Sequence, residues 1–201
     1  MKILNILSSI NAQNSNSRKL VEAINNQILS KYPDAAITTR DLTKKSVPHL
    51  EAAHYSAFQS GRDVFSDEDE AAIFYSDTAI DELNSADIIV IAVPMYNFSI
   101  PDTLKSWIDQ IVRSGVTFTY ETGMPVGLLS GKKVYLAVAS GAVYSDGPMK
   151  NFDFAEPYLR TVLGFIGLTD ITAFRIEGTK MPGVMETALP KAVKTISEHA
   201  F

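Results

Sequence analysis

The sequence predicts a doubly wound α/β fold built on a parallel sheet, and three observations predict it. Strand-like and helix-like segments alternate along the 201 residues, the pattern of βαβ crossovers. The stretch Asp87 to Val93 is apolar and β-branched over consecutive positions, as expected of a strand covered on both faces in a parallel sheet. Three strands end in polar or aromatic segments, and right-handed crossovers bring all such ends to one edge.

Lys2 to Leu7 reads as the first strand, followed by a polar loop from Ser8 to Asn16. From Ser17 the period changes: Leu20, Val21, Ile24 and Ile28 recur at helical spacing, Ser17 is placed to cap, and Pro33 marks the end. Ala35 to Leu42 is the second strand. Thr43 to Phe65, with Pro48 and Gly61, is irregular apart from a short helix around Ala52 to Gln59. Ser66-Asp67-Glu68-Asp69 has the form of a capping box and opens a helix to about Asn84, its acidic first turn suiting the macrodipole.

Asp87 to Val93 is the third strand. Thr103 to Arg113 is a helix whose apolar face is Leu104, Ile108, Ile111 and Val112. Val116 to Glu121 is an exposed strand or hairpin arm. Lys132 to Ser140 supplies the fourth main strand, with a glycine-bearing loop from Gly141 to Pro148 at its carboxyl end. Tyr158 to Ile166 is helical, Asp170 to Ile176 is the fifth main strand, and Val184 to Glu198 is a closing helix. No repeat, low-complexity block or linker interrupts the chain, so one domain is expected over residues 1–201.

With 46% hydrophobic and 20% charged residues the composition is that of an ordinary globular protein. There is no cysteine, which removes disulfides, a thiolate nucleophile and Cys-ligated metal centres. No basic-then-apolar leader stands at the amino terminus, and no stretch approaches the roughly 20 apolar residues of a membrane span. A cytoplasmic protein without membrane contact is expected. The net charge of −5 and the scattered Lys and Arg residues argue against a nucleic-acid partner and for a small molecule. His49, His54 and His199 have no metal-ligand spacing and read as surface or loop residues.

The strand ends carry the chemistry. At the first, Ser8-Ser9 and Asn14-Ser15-Asn16-Ser17 lead into a helix amino terminus, where free N–H groups favour an anion. Two readings are open there, a phosphate cradle or a helix cap in a solvated loop. Neither G-x-G-x-x-G nor a Walker motif is present, so a monophosphate fits better than a dinucleotide or triphosphate. At the third, Pro94 stops the ladder, Tyr96 and Phe98 offer aromatic faces, and Asn97 offers an amide. That segment either holds a planar ligand or closes the core. At the fourth, Ala139-Ser140-Gly141-Ala142 is small enough for close backbone approach. Together they sketch a flavin site, with phosphate at the first loop and ring between the third and fourth. In the flavodoxin-like strand order, 2-1-3-4-5 with helices on both faces, the switch point lies between the first and third strands, in agreement with the sketch.

Here the chain resembles the FMN-dependent NADH azoreductases, a branch of the flavodoxin-like NAD(P)H:quinone oxidoreductases. The likeness runs nearly end to end: Leu7-Ser8-Ser9, Ser15 to Ser17, Ala92 to Phe98, Gly115 to Phe118, Asp146-Gly147-Pro148, and Pro157 to Leu159 through Leu163 to Gly167. The resemblance implies phosphate contacts at Ser9, Ser15, Asn16 and Ser17. It implies ring contacts at Met95, Tyr96, Asn97 and Phe98 and at Ala139, Ser140, Gly141 and Ala142. One common form of the last segment is Ser-Arg-Gly-Gly, from which Ser140 and Ala142 depart.

The resemblance further implies FMN as cofactor, NADH or NADPH as hydride donor, and a quinone or azo compound as acceptor, exchanged by a ping-pong cycle. It also implies a homodimer with active sites at the interface, the Phe118 to Tyr120 arm covering the neighbouring flavin. Phe98, Phe118, Tyr120 and Phe165 are the candidates for the acceptor pocket, and for Phe165 the core is the competing position. Trp107 has two readings, that interface or ordinary packing. The flavin carries the hydride, so no side chain is assigned as nucleophile or general base. The alternative function is a flavodoxin-like electron carrier without substrate turnover. Such a carrier is usually shorter and has a Thr-Gly-Asn-Thr type phosphate loop, and neither feature is present here.

Overall fold

The computed structural model describes residues 1–11, 13–60, 65–121 and 123–201. In chain order the first half contains β1 (Lys2–Leu7), α1 (Asn16–Lys31), β2 (Ala36–Asp41), α2 (Ala52–Gln59), α3 (Asp67–Ser85) and β3 (Ile88–Pro94). The second half contains α4 (Asp102–Ile111), β4 (Phe118–Glu121), β5 (Met124–Gly127), β6 (Lys133–Ala139), α5 (Glu156–Phe165), β7 (Asp170–Ile176) and α6 (Met185–Ser197). Gly61 lies outside the described residues.

Five strands form one parallel sheet in the order β2-β1-β3-β6-β7. Counted without the separate β4–β5 hairpin, this is the expected 2-1-3-4-5. Every residue of β3 is buried, as its continuous β-branched run requires, and each such side chain contributes roughly 1.5–3 kcal/mol. Successive residues of β3 enter different cores because strand side chains alternate. Ile88, Val90 and Ala92 join Leu20, Val21, Ile24 and Ile28 of α1 and Ala188, Ala192 and Ile196 of α6. Ile89, Ile91 and Val93 join residues of α3, α4 and α5, among them Leu83, Trp107 and Leu163.

Two expectations are corrected, and one open pair of readings is decided. The cap of α1 is Ser15, whose Oγ accepts from the Arg18 N–H at 3.2 Å, while Ser17 lies inside the first turn. Of the two readings of Trp107, packing is the one the structure bears out, since the ring is fully buried in the second core. His54 is a buried residue of α2, its Nδ1 accepting from the Glu51 N–H, because it completes a capping box with Glu51. The irregular segment before α2 is tied to α4 by Gln110 Nε2, which donates to the Pro48 carbonyl at 3.1 Å, and by a 3.2 Å contact of His49 Nδ1 with Ser106 Oγ.

Candidate functional site

The carboxyl ends of β1, β3 and β6 lie side by side in the sheet. At the β1 end Ser8 is spent on structure, its hydroxyl donating to the Ala92 carbonyl at 2.7 Å and so pinning the loop to β3. Ser9 is buried, and its hydroxyl makes no hydrogen bond among the described residues. Ser15 and Ser17 are also buried, with their hydroxyl oxygens 3.1 Å apart at the start of α1. Hydroxyls and helix-terminal N–H groups thus converge, which suits an anion.

Arg18, which the sequence reading did not single out, holds this loop from behind. Its guanidinium forks onto Asp41 at 2.8 and 3.0 Å and donates to the Ser9 carbonyl at 3.1 Å. The pair is bidentate and mutually neutralised, so the loop presents dipoles and hydroxyls rather than a bare cation. Burial pulls the Asp41 carboxyl upward, but hydrogen bonds from Arg18 and Thr43 outweigh it and hold its pKa at about 2, below the ordinary 3.8. Because the folded value is the lower one, the pair's stabilisation is present above the ordinary value and is lost as pH falls through the folded one. Urea unfolding of Asp41→Asn should therefore show a stability deficit near neutral pH that shrinks between pH 3.8 and about 2. A deficit that stays constant across that range would show that the ion pair is not its source.

At the β3 end Met95 donates its N–H to the Ala139 carbonyl at 2.8 Å, carrying the ladder one residue past Pro94. The chain then reverses in a tight turn, Tyr96 and Ser99 exchanging hydrogen bonds at 2.9 and 3.0 Å. Asn97 and Phe98 between them have φ of 49° and 71°. Two positive φ values give the form of a type I′ turn, which Asn tolerates and Phe resists, at about 1–3 kcal/mol for such a residue. The strain is held by neighbours. The Phe98 carbonyl accepts from the Phe154 N–H at 3.0 Å, and its ring packs on Tyr144 and Phe152 with centroids 6.3 and 5.8 Å away. The N–H groups of Asn97 and Phe98 and the Asn97 side-chain amide make no hydrogen bond among the described residues. The turn is strained, rigidly seated and rich in free donors.

At the β6 end Ser140 turns its hydroxyl into its own loop, donating to the Ala142 carbonyl at 2.8 Å. Thr179 donates to the Ser140 carbonyl through its hydroxyl at 2.9 Å, and Lys180 donates its N–H to Gly141 at 3.0 Å. The departure from the Arg-bearing form therefore leaves a small, closed loop backed by residues 178–180.

The four aromatic candidates fall into two groups. Phe98 is 44% exposed beside Tyr144 and Phe152, neither of which the sequence reading singled out. Phe118 packs its ring 4.5 Å from Phe165 and 5.7 Å from Tyr120, forming a row between the hairpin and α5. Phe118 itself is buried in the core, while Tyr120 at 62% exposed stands free on the arm. A cleft of about 600 Å³ adjoins the strained turn, lined by Tyr96, Asn97, Ile100, Asp102, Lys105 and Tyr158. Another of about 610 Å³ lies between β2 and α3, around the paired Arg40 and Glu82, and reaches Leu7 at the end of β1 and the Arg18–Asp41 pair behind its loop.

Comparison with known proteins returns the same region of fold space. The family described as having the flavodoxin-like fold matches residues 1–200. A Herminiimonas arsenicoxydans protein named FMN-dependent NADH:quinone oxidoreductase is 46% identical over 198 residues, 98% of this chain and 97% of that one. The crystal structure of an azoreductase from Bacillus anthracis str. Sterne superposes with a TM-score of 0.87 at 28% identity, covering 99% of this chain and 100% of that one. An FMN-dependent NADH-azoreductase from Bacillus anthracis str. Ames Ancestor, solved in complex with FMN, gives 0.85 at 25% identity, over 98% of this chain and 96% of that one.

Proposed function

The chain belongs to the flavodoxin-like family that includes the FMN-dependent NADH:quinone oxidoreductases, and on that premise we propose that it reduces quinones and aromatic azo compounds with electrons from NADH through bound FMN. The observation that carries the reading is the convergence of unpaired donors at two adjacent strand ends: the Ser9 hydroxyl and the start of α1 beyond β1, and the free N–H groups of Asn97 and Phe98 beyond β3. This donor set fits a phosphate monoester at one end and a flat heteroaromatic ring with exposed nitrogen and oxygen atoms at the other.

Ser9, Ser15, Asn16 and Ser17 would hold the phosphate. Met95 to Phe98 and Ala139 to Ala142 would hold the ring, the first through its strained turn and the second through its small loop. Bound FMN supplies the two-electron chemistry, accepting a hydride from NADH and delivering it to the acceptor. The protein's part is to orient donor and acceptor in turn over one ring face and to aim fixed dipoles at the charge that develops there. A quinone that receives a hydride needs one proton to become the hydroquinone, and solvent supplies it, so no side chain is assigned as acid or base.

The two cores flanking the sheet support helices on both faces and a single domain over residues 1–201. The exposed Tyr120, Met124 and Leu128 of the hairpin region, with exposed Phe98 and Phe154, support a homodimer in which the arm of one copy covers the ring of the other. Phe98, Phe118, Tyr120 and Phe165 then border the acceptor, with Phe118 and Phe165 acting as the packed base of the arm. Among the described residues no helix is long and apolar enough to cross a membrane.

Purified protein should be yellow, release FMN on denaturation, and oxidise NADH with a quinone and with an azo dye, giving parallel double-reciprocal lines at several NADH concentrations. A colourless protein that takes up no added FMN would overturn the site. Intersecting lines would overturn the ping-pong order alone.

A further inference from the structure

Arg175, near the end of β7, lies opposite Val138 in the β6–β7 register, one residue before the strand end that carries Ala139. Its neighbours Phe174 and Ile176 enter the core with α1 and α6, so the strand's alternation sends Arg175 to the opposite face, where α5 begins. There one guanidinium meets three carboxylates. Its Nε donates to Glu156 at 2.8 Å, Nη2 donates to both Glu156 and Asp153, and Nη1 donates to Glu177 at 3.2 Å.

Two of those carboxylates hold a stretch of backbone of their own. Glu177 Oε1 accepts the N–H groups of Tyr144 and Ser145 at 2.8 and 2.9 Å. Asp153 Oδ1 accepts the N–H groups of Ala155 and Glu156 at 3.0 and 3.2 Å, closing the start of α5. The segments so fixed bear Tyr144 and Phe152, the two rings against Phe98, and Phe154, whose N–H binds the Phe98 carbonyl. The strained turn of the candidate site is thus clamped by two loops that meet at a single arginine.

We infer that Arg175 is a positioning residue for the acceptor pocket: through Asp153, Glu156 and Glu177 it seats the aromatic wall of Tyr144 and Phe152 that keeps Phe98 in its left-handed conformation. The inference rests on the proposed function for the identity of the acceptor, but its mechanical half concerns the protein alone. A planar fork with five donors can serve three carboxylates at once, which an ammonium with three donors on a flexible stem cannot do with the same geometry. Removing the guanidinium also leaves Asp153 and Glu177 beside Glu156 with no cation between them, while Glu156 keeps Arg160, whose Nε donates to it at 2.8 Å.

The test compares Arg175→Met and Arg175→Lys with the parent. Hydrogen exchange is read on flavin-free protein, and FMN affinity and quinone kinetics on the loaded enzyme. In Arg175→Met the hydrogen-bonded amides of residues 96, 99, 144, 145 and 154 should exchange at least about tenfold faster, with those of the sheet unchanged. The quinone KM should rise about tenfold with kcat close to the parent's, the signature of a misshaped binding wall rather than a lost reacting group, and FMN should bind more weakly because the loosened turn also holds the ring. Arg175→Lys should fall between the two. Parent-like exchange at those amides overturns the inference, and so does faster exchange with an unchanged KM. Should Arg175→Met fail to fold, Glu177→Ala releases only the 144–145 loop and must still raise KM; an unchanged KM there also overturns it. A parent protein that binds no FMN defeats the proposed function instead, and the exchange comparison then decides the positioning role by itself.

Discussion

Ser15→Asp is expected to weaken FMN binding by at least about a hundredfold while leaving α1 intact. Ser15 is the cap of α1, with its Oγ on the Arg18 N–H. Aspartate caps a helix about as well as serine and suits the positive end of the dipole, so the fold does not need the hydroxyl. A phosphate in the same loop does. Two like charges about 4 Å apart at an effective dielectric near 20 repel by about 4 kcal/mol, more than a hundredfold loss requires. Arg18 offers little relief because Asp41 already occupies its fork. Fluorescence titration with FMN and with riboflavin, which has no phosphate, separates the terms: FMN affinity should collapse and riboflavin affinity should barely move. A parent-like FMN affinity would take the phosphate out of this loop.

Gly127→Ala should cut acceptor turnover by about tenfold or more with FMN still bound. Gly127 ends β5 where the hairpin meets the turn after α5, and a Cβ there would lie 2.1 Å from the Gly167 nitrogen and 2.4 Å from the Ile166 carbonyl carbon. Both are backbone atoms, so no rotamer change relieves the overlap. Gly167 itself has φ of +101°, a conformation that leaves it little room to follow. Either the hairpin or the end of α5 must shift, at about 1–3 kcal/mol for an overpacked site. Beyond its own ladder the hairpin is held by backbone bonds of Phe118 with Gly115 and Arg113, at 2.7 and 3.4 Å, and of Leu128 and Leu129 with Thr117 and Ile166, each at 2.9 Å, and the last of these lies at the overlap. Displacement of the hairpin would unseat Phe118 from Phe165 and carry Tyr120 with it. Stopped-flow reduction by NADH and by quinone, with the melting temperature, reads the outcome. Parent-like turnover in both half-reactions would show that the arm takes no part in the site.

The strand ends were legible because each announces itself locally. A buried apolar run followed by Pro94, Met95, Tyr96, Asn97 and Phe98 marks both the strand and its exit within a dozen residues. The short helix at Ala52–Gln59 and the capping box at Ser66 were legible for the same reason. Arg18 and Arg175 were not, because their meaning depends on partners 23 residues away at Asp41 and 22 away at Asp153. A faint signal existed for the second: Arg175 and Glu177 are two apart at a strand end, and such residues share a face.

From the sequence alone came the kinds and order of the elements, the sheet they build and the edge where a ligand would sit. These follow from side-chain periodicity and breakers, which act over a few residues at a time. Tertiary structure alone decided that Ser15 rather than Ser17 caps α1, that Phe118 is buried while Tyr120 is free, and that Asn97 and Phe98 take left-handed conformations. A backbone state that costs free energy locally persists only when distant groups over-determine it. Here those groups are the loops gathered by Arg175, which come together only when the sheet has closed.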